Sequence, residues 1–285
     1  MLPHLQLQGR LSAEIGAAHF AVSHRPSTGP GRCAAFLLKR GAMNTPFADD
    51  PTRPLPHHVA VIGAAGGLGQ GILDVCRTEG IGFTAIVRSR PERITNVPRG
   101  SRIAVVPSFM DCTLLREAFS GANAVVTALG VTSTSHDRSA LLSANMAPVE
   151  EAMLASQVDR ILMINTLLAA KPGSPASRAM RFFSLLPGRI GRGATEQRAV
   201  ADAIGNGAFS SLRWTLVRAG VNAKGRDERP VASADWSGAL NSWLPVSYQA
   251  VGRWMIEEAA ANRFVRSAPL VSRRRGGLDP EKDAL

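Results

Sequence analysis

Three glycines, Gly63, Gly66 and Gly69, stand at a spacing that can hold a phosphate group. A mostly apolar run, 57–62, precedes them and a helical pattern follows, which predicts a strand, a tight turn and a helix start. The first glycine would permit the turn, the second would let backbone amides approach the phosphate, and the third would let the helix pack on the strand. The helix N-terminus adds N–H groups and the positive end of its dipole. The residues expected to hold a dinucleotide pyrophosphate are Gly63, Ala65, Gly66, Gly67, Leu68 and Gly69.

The end of the next predicted strand, 83–87, indicates which dinucleotide this would be. A site for NAD usually places Asp or Glu there to accept hydrogen bonds from the ribose hydroxyls. This chain has Arg88 and Ser89 instead, which can bind the additional phosphate of NADP through a guanidinium and a hydroxyl. We therefore expect NADP(H) in preference to NAD(H). The alternative is a solvated basic loop in an arginine-rich protein.

Length and composition limit the class of protein. With 285 residues, of which 45% are hydrophobic, the chain can bury one sizeable core. Hydropathy shows no apolar run long enough to cross a bilayer, so we expect no membrane partner. Cys33, Cys76 and Cys112 are widely spaced and match no metal or disulfide pattern. These features predict a reduced, cytoplasmic protein without a metal.

The formal charge of +11 raises the question of nucleic-acid binding. Lysine is scarce and arginine is scattered, with local clusters only at 178–198 and 273–275. No basic helix carries interleaved aromatic residues. An arginine-rich composition together with a cofactor phosphate site accounts for the charge, and we do not expect a nucleic-acid partner.

The chain divides into an extension, one domain and a tail. Residues 1–55 lack a clean hydrophobic period and end in a proline-rich stretch, which predicts a disordered extension; Met43 is a candidate start, so residues 1–42 need not be present in the native protein. From 56 to 268 strands alternate with helices, which predicts an α/β fold: a Rossmann-like doubly wound parallel sheet with a small C-terminal lobe on the substrate side. A substrate-side insert is expected at about 169–195 and a polar tail at 269–285. The predicted elements after residue 100 are strands at 103–106, 124–130, 160–165 and 213–218 and helices at 113–119, 139–157, 196–204 and 249–261.

Loops that follow the carboxyl ends of parallel strands are where ligands bind in such folds. Three loops qualify: 129–136, 165–166 and 218–222. They form a rim of small and polar residues. Thr166 lies at a strand end on the expected nicotinamide side and is the residue of this rim best placed to take part in catalysis.

Taken in order, these residues resemble the atypical short-chain dehydrogenases/reductases, the group that contains NmrA-like proteins and flavin reductase (biliverdin-IXβ reductase). The resemblance runs from about 57 to 266. The stretches that carry it are 63–69, 87–88, 121–126, 129–130, 158–161 and 214–220.

The resemblance implies a Rossmann-type domain that binds NADPH, with Arg88 and Ser89 near the 2′-phosphate and Leu129-Gly130 beside the adenosine ribose. The family often has Gly-Asp after its third strand, where the Asp reads the adenine. This chain has Pro107-Ser108 there, so Ser108 or the backbone amide of Phe109 would take over that role. Further cofactor contacts are expected at the last two strand ends, from Asn165, Thr166, Ala219, Gly220 and Val221.

The chain departs from ordinary short-chain dehydrogenases in its catalytic residues. Those enzymes place Tyr and Lys four residues apart, and the lysine lowers the pKa of the phenol so that it can protonate a carbonyl oxygen. The only tyrosine here is Tyr248, with Gly252 four residues later, and no lysine lies between Lys171 and Lys224. An ordinary alcohol dehydrogenase mechanism is therefore not expected. The remaining catalytic candidates are Thr166 and His136, although a lone histidine in a polar loop is more often simply solvated.

Two functions from different classes follow. The first is an NADPH-dependent oxidoreductase that transfers hydride to a flavin, a quinone or another conjugated or carbonyl acceptor, held between 132–136 and the apolar insert 182–186. Such acceptors can take their proton from water. The second is a non-catalytic NADP(H)-sensing regulatory protein of the NmrA type, which would have a protein partner. The chain is expected to be a monomer or a homodimer.

Overall fold

Strands and helices alternate along the part of the chain that the computed structural model describes, residues 54–129, 142–234, 240–241 and 245–274. The predicted extension, except for 54–55, therefore lies outside the described residues. The strands are β1 (His58–Ile62), β2 (Gly82–Val87), β3 (Arg102–Val105), β4 (Ala124–Thr127), β5 (Arg160–Thr166), β6 (Arg213–Ala219), β7 (Val221–Arg226), β8 (Val231–Ser233), β9 (Leu240–Asn241) and β10 (Leu270–Arg274). The helices are α1 (Gly67–Thr78), α2 (Cys112–Phe119), α3 (Met146–Ala155), α4 (Arg178–Ser184), α5 (Gly188–Gly205) and α6 (Tyr248–Ala261), with a short 3₁₀ turn at Pro91–Arg93.

The sheet has the order β3-β2-β1-β4-β5-β6-β10-β8, and β9 pairs with β10. Pairing is parallel from β3 to β10, and β8 and β9 run antiparallel to β10. The chain order reverses between β1 and β4, which creates a crevice at the carboxyl ends of these two strands. The predicted Rossmann-like doubly wound parallel sheet is confirmed.

Alternate residues of each strand face opposite sides of the sheet, and each side has its own core. Val59 and Val61 pack with α1 and α6, whereas Ala60 and Ile62 pack with α2, α3 and α5. All four side chains are almost completely buried. A strand buried on both faces is typical of a parallel sheet covered by helices.

The predicted helix 139–157 is wrong at its start. The structure begins α3 at Met146, with Asn145 as its N-cap. Pro148 then lies in the first turn, where its missing N–H leaves no helical bond unmade. In a helix that began near 139, the same proline would remove an interior hydrogen bond and clash with the preceding turn.

The predicted polar tail at 269–285 is also wrong for its first residues. β10 is an interior strand that pairs with β6 on one side and β8 on the other. Leu270 and Val271 are buried in it. The arginines at 273–275 are typical of a polar tail, yet Leu270 and Val271 pair with β6 and extend the sheet.

Cys76 is buried in the core on α1. Burial raises the pKa of its thiol to about 12, only partly offset by Arg77 and a backbone hydrogen bond. Because the thiolate is the reactive form, we expect the peptide that carries Cys76 to remain unalkylated when the native protein is treated with iodoacetamide at pH 8. Mass spectrometry before and after denaturation measures this, and modification at the same rate in both states would contradict the buried placement.

None of the helices in the described ranges is both long enough and apolar enough to span a bilayer.

Candidate functional site

A cleft of about 1220 Å³ opens at the carboxyl edge of the sheet. Its walls come from the residues that follow β1, β2, β4, β5 and β6 and from helices α4 and α5. It therefore occupies the crevice where the strand order reverses, which is the ligand position of open α/β sheets. The predicted residues that line it are Gly63, Ala65, Gly66, Gly67, Leu68, Arg88, Ser89, Phe109, Leu129, Asn165, Thr166, Ala219, Gly220 and Val221.

The turn after β1 leaves backbone donors at the start of α1. Gly63 has a φ of +81°, a conformation that L side chains rarely adopt. Gly66 is the N-cap of α1, and neither a side-chain cap nor an acidic residue occupies the first turn. Uncapped N–H groups at a helix N-terminus bind anions, so this turn fits a pyrophosphate.

Gly66 and Gly69 have different surroundings. A Cβ on Gly69 would lie 2.3 Å from the Gly63 carbonyl oxygen and 2.7 Å from Ala64 Cα. A Cβ on Gly66 would meet only the Gly63 oxygen, at 3.3 Å. Gly69 does not line the cleft and instead permits close packing of α1 on the turn, whereas Gly66 faces the space that a ligand would fill.

The charged side chains that line the cleft all have one sign. They are Arg88, Arg90 and Arg93, and no Asp or Glu is among the lining residues in the described ranges. All three follow β2 or lie in the 3₁₀ turn after it. Arg93 was not singled out from the sequence, although its position in the same arginine-rich loop was a usable signal. Charged lining residues that are all basic favour a ligand that carries several phosphate groups.

The residues predicted near the adenosine are only partly brought together. Phe109 and Leu129 line the cleft, but Ser108 does not. The Ser108 hydroxyl instead accepts a hydrogen bond from the Met110 backbone N–H at 3.2 Å, within the turn before α2. Gly130 and His136 lie outside the described residues.

The carboxyl end of β5 is fixed by hydrogen bonds to α5. The Thr166 N–H donates to Asn165 Oδ1 at 2.7 Å and to Gln197 Oε1 at 2.8 Å. Asn165 Nδ2 in turn donates to the Gln197 carbonyl oxygen at 2.9 Å. Within the part of the chain that is described, the Thr166 hydroxyl forms no hydrogen bond with protein. The strand end is thus held in place while this hydroxyl remains available to a ligand.

Gln197 was missed by the sequence analysis. It lies 31 residues after Thr166 on a different element, and no motif surrounds it. Its contact with β5 depends on how α5 packs on the sheet, which no local pattern reveals.

The far end of the cleft is apolar. Side chains of β5, the turn after it, α4 and α5 form this wall: Ile164, Leu168, Met180, Phe183 and Ile190. Met180 is buried and Phe183 is half-buried. Such a surface can hold a flat or conjugated molecule and keep water from it.

Tyr248, the chain's only tyrosine, also lines the cleft. Its ring lies against the glycine turn, because a Cβ on Gly67 would approach Tyr248 Cε2 to 2.5 Å. No lysine is among the lining residues in the described ranges. Gly252, four residues after Tyr248, packs on Ile72 of α1 instead.

Comparison with known families and structures agrees with this geometry. A family model described as NAD(P)H-binding matches residues 63–263, which include the glycine turn and the strand ends that line the cleft. The chain belongs to this family. The expected NAD(P)-binding family is thereby confirmed, and a nicotinamide nucleotide is the ligand class of this family.

Solved structures with the same fold cover most of the chain. One is a protein from Streptococcus pneumoniae provisionally named as an NADH-flavin reductase, with a TM-score of 0.58 and 17% identity over 76% of this chain and 99% of that one. Another is a short-chain dehydrogenase/reductase from Veillonella parvula in complex with NADP, with a TM-score of 0.55 and 17% identity over 78% of this chain and 96% of that one. Among curated proteins, no sequence matches the chain.

Proposed function

We propose that this NAD(P)H-binding protein is an NADPH-dependent reductase that transfers hydride to a flavin, a quinone or another conjugated acceptor, without a Tyr/Lys pair. The observation that carries the proposal is the composition of one continuous cleft. It joins an uncapped helix N-terminus, three arginines and an apolar end wall. These are the surroundings that a phosphate-rich nucleotide and a flat acceptor would need side by side.

The phosphates would be held by two groups of residues. The amides of the turn from Gly63 to Leu68 would bind the pyrophosphate at the start of α1. Arg88 and Ser89, where a carboxylate would stand in a site for NAD, would bind the 2′-phosphate, and Arg90 and Arg93 would add positive potential. The NADP-bound neighbour from Veillonella parvula supports a nicotinamide nucleotide in this fold.

At the other end of the cleft, the protein would position the nicotinamide and the acceptor rather than activate them chemically. When bound, the nicotinamide supplies the hydride. The Thr166 hydroxyl would donate to the carboxamide or to the acceptor, and Gln197 would keep the β5 end in place through the Thr166 N–H. Met180, Phe183 and Ile190 would exclude water from the acceptor, while the proton that completes its reduction comes from solvent.

The substitution Arg88→Ala tests the nucleotide preference. Loss of a charge-assisted hydrogen bond of about 1.5–3 kcal/mol should raise the Kd for NADPH by roughly ten- to a hundredfold and leave the Kd for NADH nearly unchanged. Isothermal titration with both nucleotides measures this, with Arg99→Ala as control because Arg99 is exposed and does not line the cleft. Equal weakening of both nucleotides would remove the assignment of Arg88 to the 2′-phosphate.

Turnover separates this proposal from a sensor of the NmrA type. The protein is mixed with NADPH and riboflavin, dichlorophenolindophenol or a soluble quinone, and nicotinamide absorbance is followed. Sustained oxidation that Gly66→Val abolishes is the expected result. Stoichiometric NADPH binding with no turnover of any of these acceptors would reject the reductase and favour the sensor.

A further inference from the structure

Helix α4 is apolar on two opposite faces. Met180 and Phe183 face the cleft, whereas Phe182 and Leu185, the residue that ends the helix, have 61% and 84% of their surface exposed. Ile190, on the first turn of α5, lines the edge of the cleft and is also 61% exposed. Large apolar side chains that are exposed next to one another mark an interaction surface, so the outer face of α4 is expected to have a partner.

The charged residues of the segment that carries this face are all positive. The segment 169–195 contains five basic residues and no Asp or Glu. Arg178, Arg181 and Arg192 are exposed. Because Arg178, Arg181, Phe182 and Leu185 are spaced by three or four residues along a helix, they share one side of it. Exposed apolar side chains among arginines, with no acidic residue, are the composition of a surface that binds anionic lipid.

We propose that this surface, Arg178, Arg181, Phe182, Leu185 and Ile190, docks on an anionic bilayer. Phe182, Leu185 and Ile190 insert at the level of the headgroups, and the arginines bind lipid phosphates. A surface contact of this kind needs no membrane-spanning helix, and it departs from the expectation of no membrane partner, which rested on the absence of a long apolar run. A second copy of the chain is a poorer occupant, because a twofold contact would bring the same arginines against one another.

Docking on a bilayer also indicates which class of acceptor the protein would reduce. This inference about the acceptor rests on the proposed reductase function. Ile190 belongs both to the docking surface and to the lining of the cleft, so the mouth would open toward the lipid. A lipid-dissolved quinone would enter there. NADPH would give up a hydride, a proton would come from solvent, and the products would be NADP⁺ and the quinol.

Vesicle flotation with the full chain tests docking without any reference to activity. We expect the protein to float with vesicles of phosphatidylcholine and phosphatidylglycerol and to remain behind with phosphatidylcholine alone. High salt should weaken the binding, since the Debye length falls from about 10 Å at 0.1 M to about 3 Å at 1 M. Leu185→Ser and Phe182→Ser should each lower the bound fraction, and together they should lower the partition coefficient at least roughly tenfold.

Met110→Ser is the matched control, because Met110 is 67% exposed but lies before α2, on a different element from this surface, and does not line the cleft. Equal flotation of the wild type and of the Leu185→Ser and Phe182→Ser variants would overturn the proposal. So would self-association, seen by sedimentation velocity, that only these two variants abolish. Circular dichroism should show all variants folded, since each altered side chain is exposed.

Activity assays keep the two proposals separate. With a soluble acceptor Leu185→Ser should match the wild type, and with a quinone dissolved in anionic vesicles it should be slower. Flotation that depends on the surface without reduction of any acceptor would retain docking and reject the reductase. Turnover of a soluble acceptor without flotation would retain the reductase and reject docking.

Discussion

Gly69→Ala is expected to destabilise the fold by about 3 kcal/mol and to abolish NADPH binding. The added methyl group would lie 2.3 Å from the Gly63 carbonyl oxygen and 2.7 Å from Ala64 Cα, and both are backbone atoms that cannot rotate away. To relieve this clash, the start of α1 must move away from the turn. Overpacking usually costs about 1–3 kcal/mol, and we expect a cost at the upper end of that range. The same movement displaces the amides proposed to bind the pyrophosphate. Urea denaturation and titration with NADPH measure the two effects.

Gly66→Ala is the matched control for this substitution. A methyl group there would meet only the Gly63 oxygen, at 3.3 Å, and the backbone at Gly66, with φ −82° and ψ 168°, suits any residue. Its stability should stay within about 1 kcal/mol of the wild type, while NADPH affinity falls because the methyl group enters the space proposed for the phosphates. Wild-type stability in Gly69→Ala would show that α1 does not pack on the turn as described.

Glu258→Ala should lower the free energy of unfolding by about 3–5 kcal/mol, because it breaks a buried ion pair by removing one partner. Glu258 on α6 is fully buried, and Arg160 at the start of β5 is 2% exposed. Glu258 Oε1 accepts from Arg160 Nη2 at 3.2 Å and from the Phe264 N–H at 2.7 Å. Its other oxygen accepts from Arg263 Nε at 3.2 Å. One carboxylate therefore joins β5, α6 and the segment that leads to β10.

The neighbouring residue provides the control. Glu257 forms an ion pair with Arg229 at 2.9 Å, but the Arg229 side chain is 77% exposed. Removal of such a surface pair should change stability by about 1 kcal/mol or less. Thermal and urea denaturation of Glu257→Ala and Glu258→Ala, side by side, measure the difference. Similar small effects in both would mean that the Arg160–Glu258 pair is not buried in solution.

The features that the sequence revealed are local ones. The glycine turn, the arginines after β2 and the alternation of buried strands with helices each occupy a short stretch, in which spacing and side-chain type determine the structure. The start of α3 is predicted near 139 and lies at Met146. Pro148 disfavours a start near 139, because it would then stand in the helix interior.

The features that the sequence did not reveal depend on contacts between distant residues. β10 belongs to the sheet because Leu270 and Val271 pair with Arg218 and Ala219, about fifty residues earlier. Gln197 reaches the cleft through the packing of α5, and Tyr248 through the close approach of α6 to the glycine turn. Neither could be found by spacing along the chain, because tertiary packing alone brings them to the cleft.

The proposed reaction in this cleft is reduction of an acceptor by NADPH without a tyrosine hydroxyl as proton donor. The most direct measurement is kcat/KM for NADPH and for NADH with dichlorophenolindophenol, on the wild type and on Tyr248→Phe. Since Tyr248 is the only tyrosine, this variant removes every phenol hydroxyl from the chain and keeps a ring against Gly67. We expect NADPH to be preferred at least roughly tenfold, a difference of about 1.4 kcal/mol, and Tyr248→Phe to keep most of the activity. Turnover that disappears in Tyr248→Phe, or that prefers NADH, would contradict it.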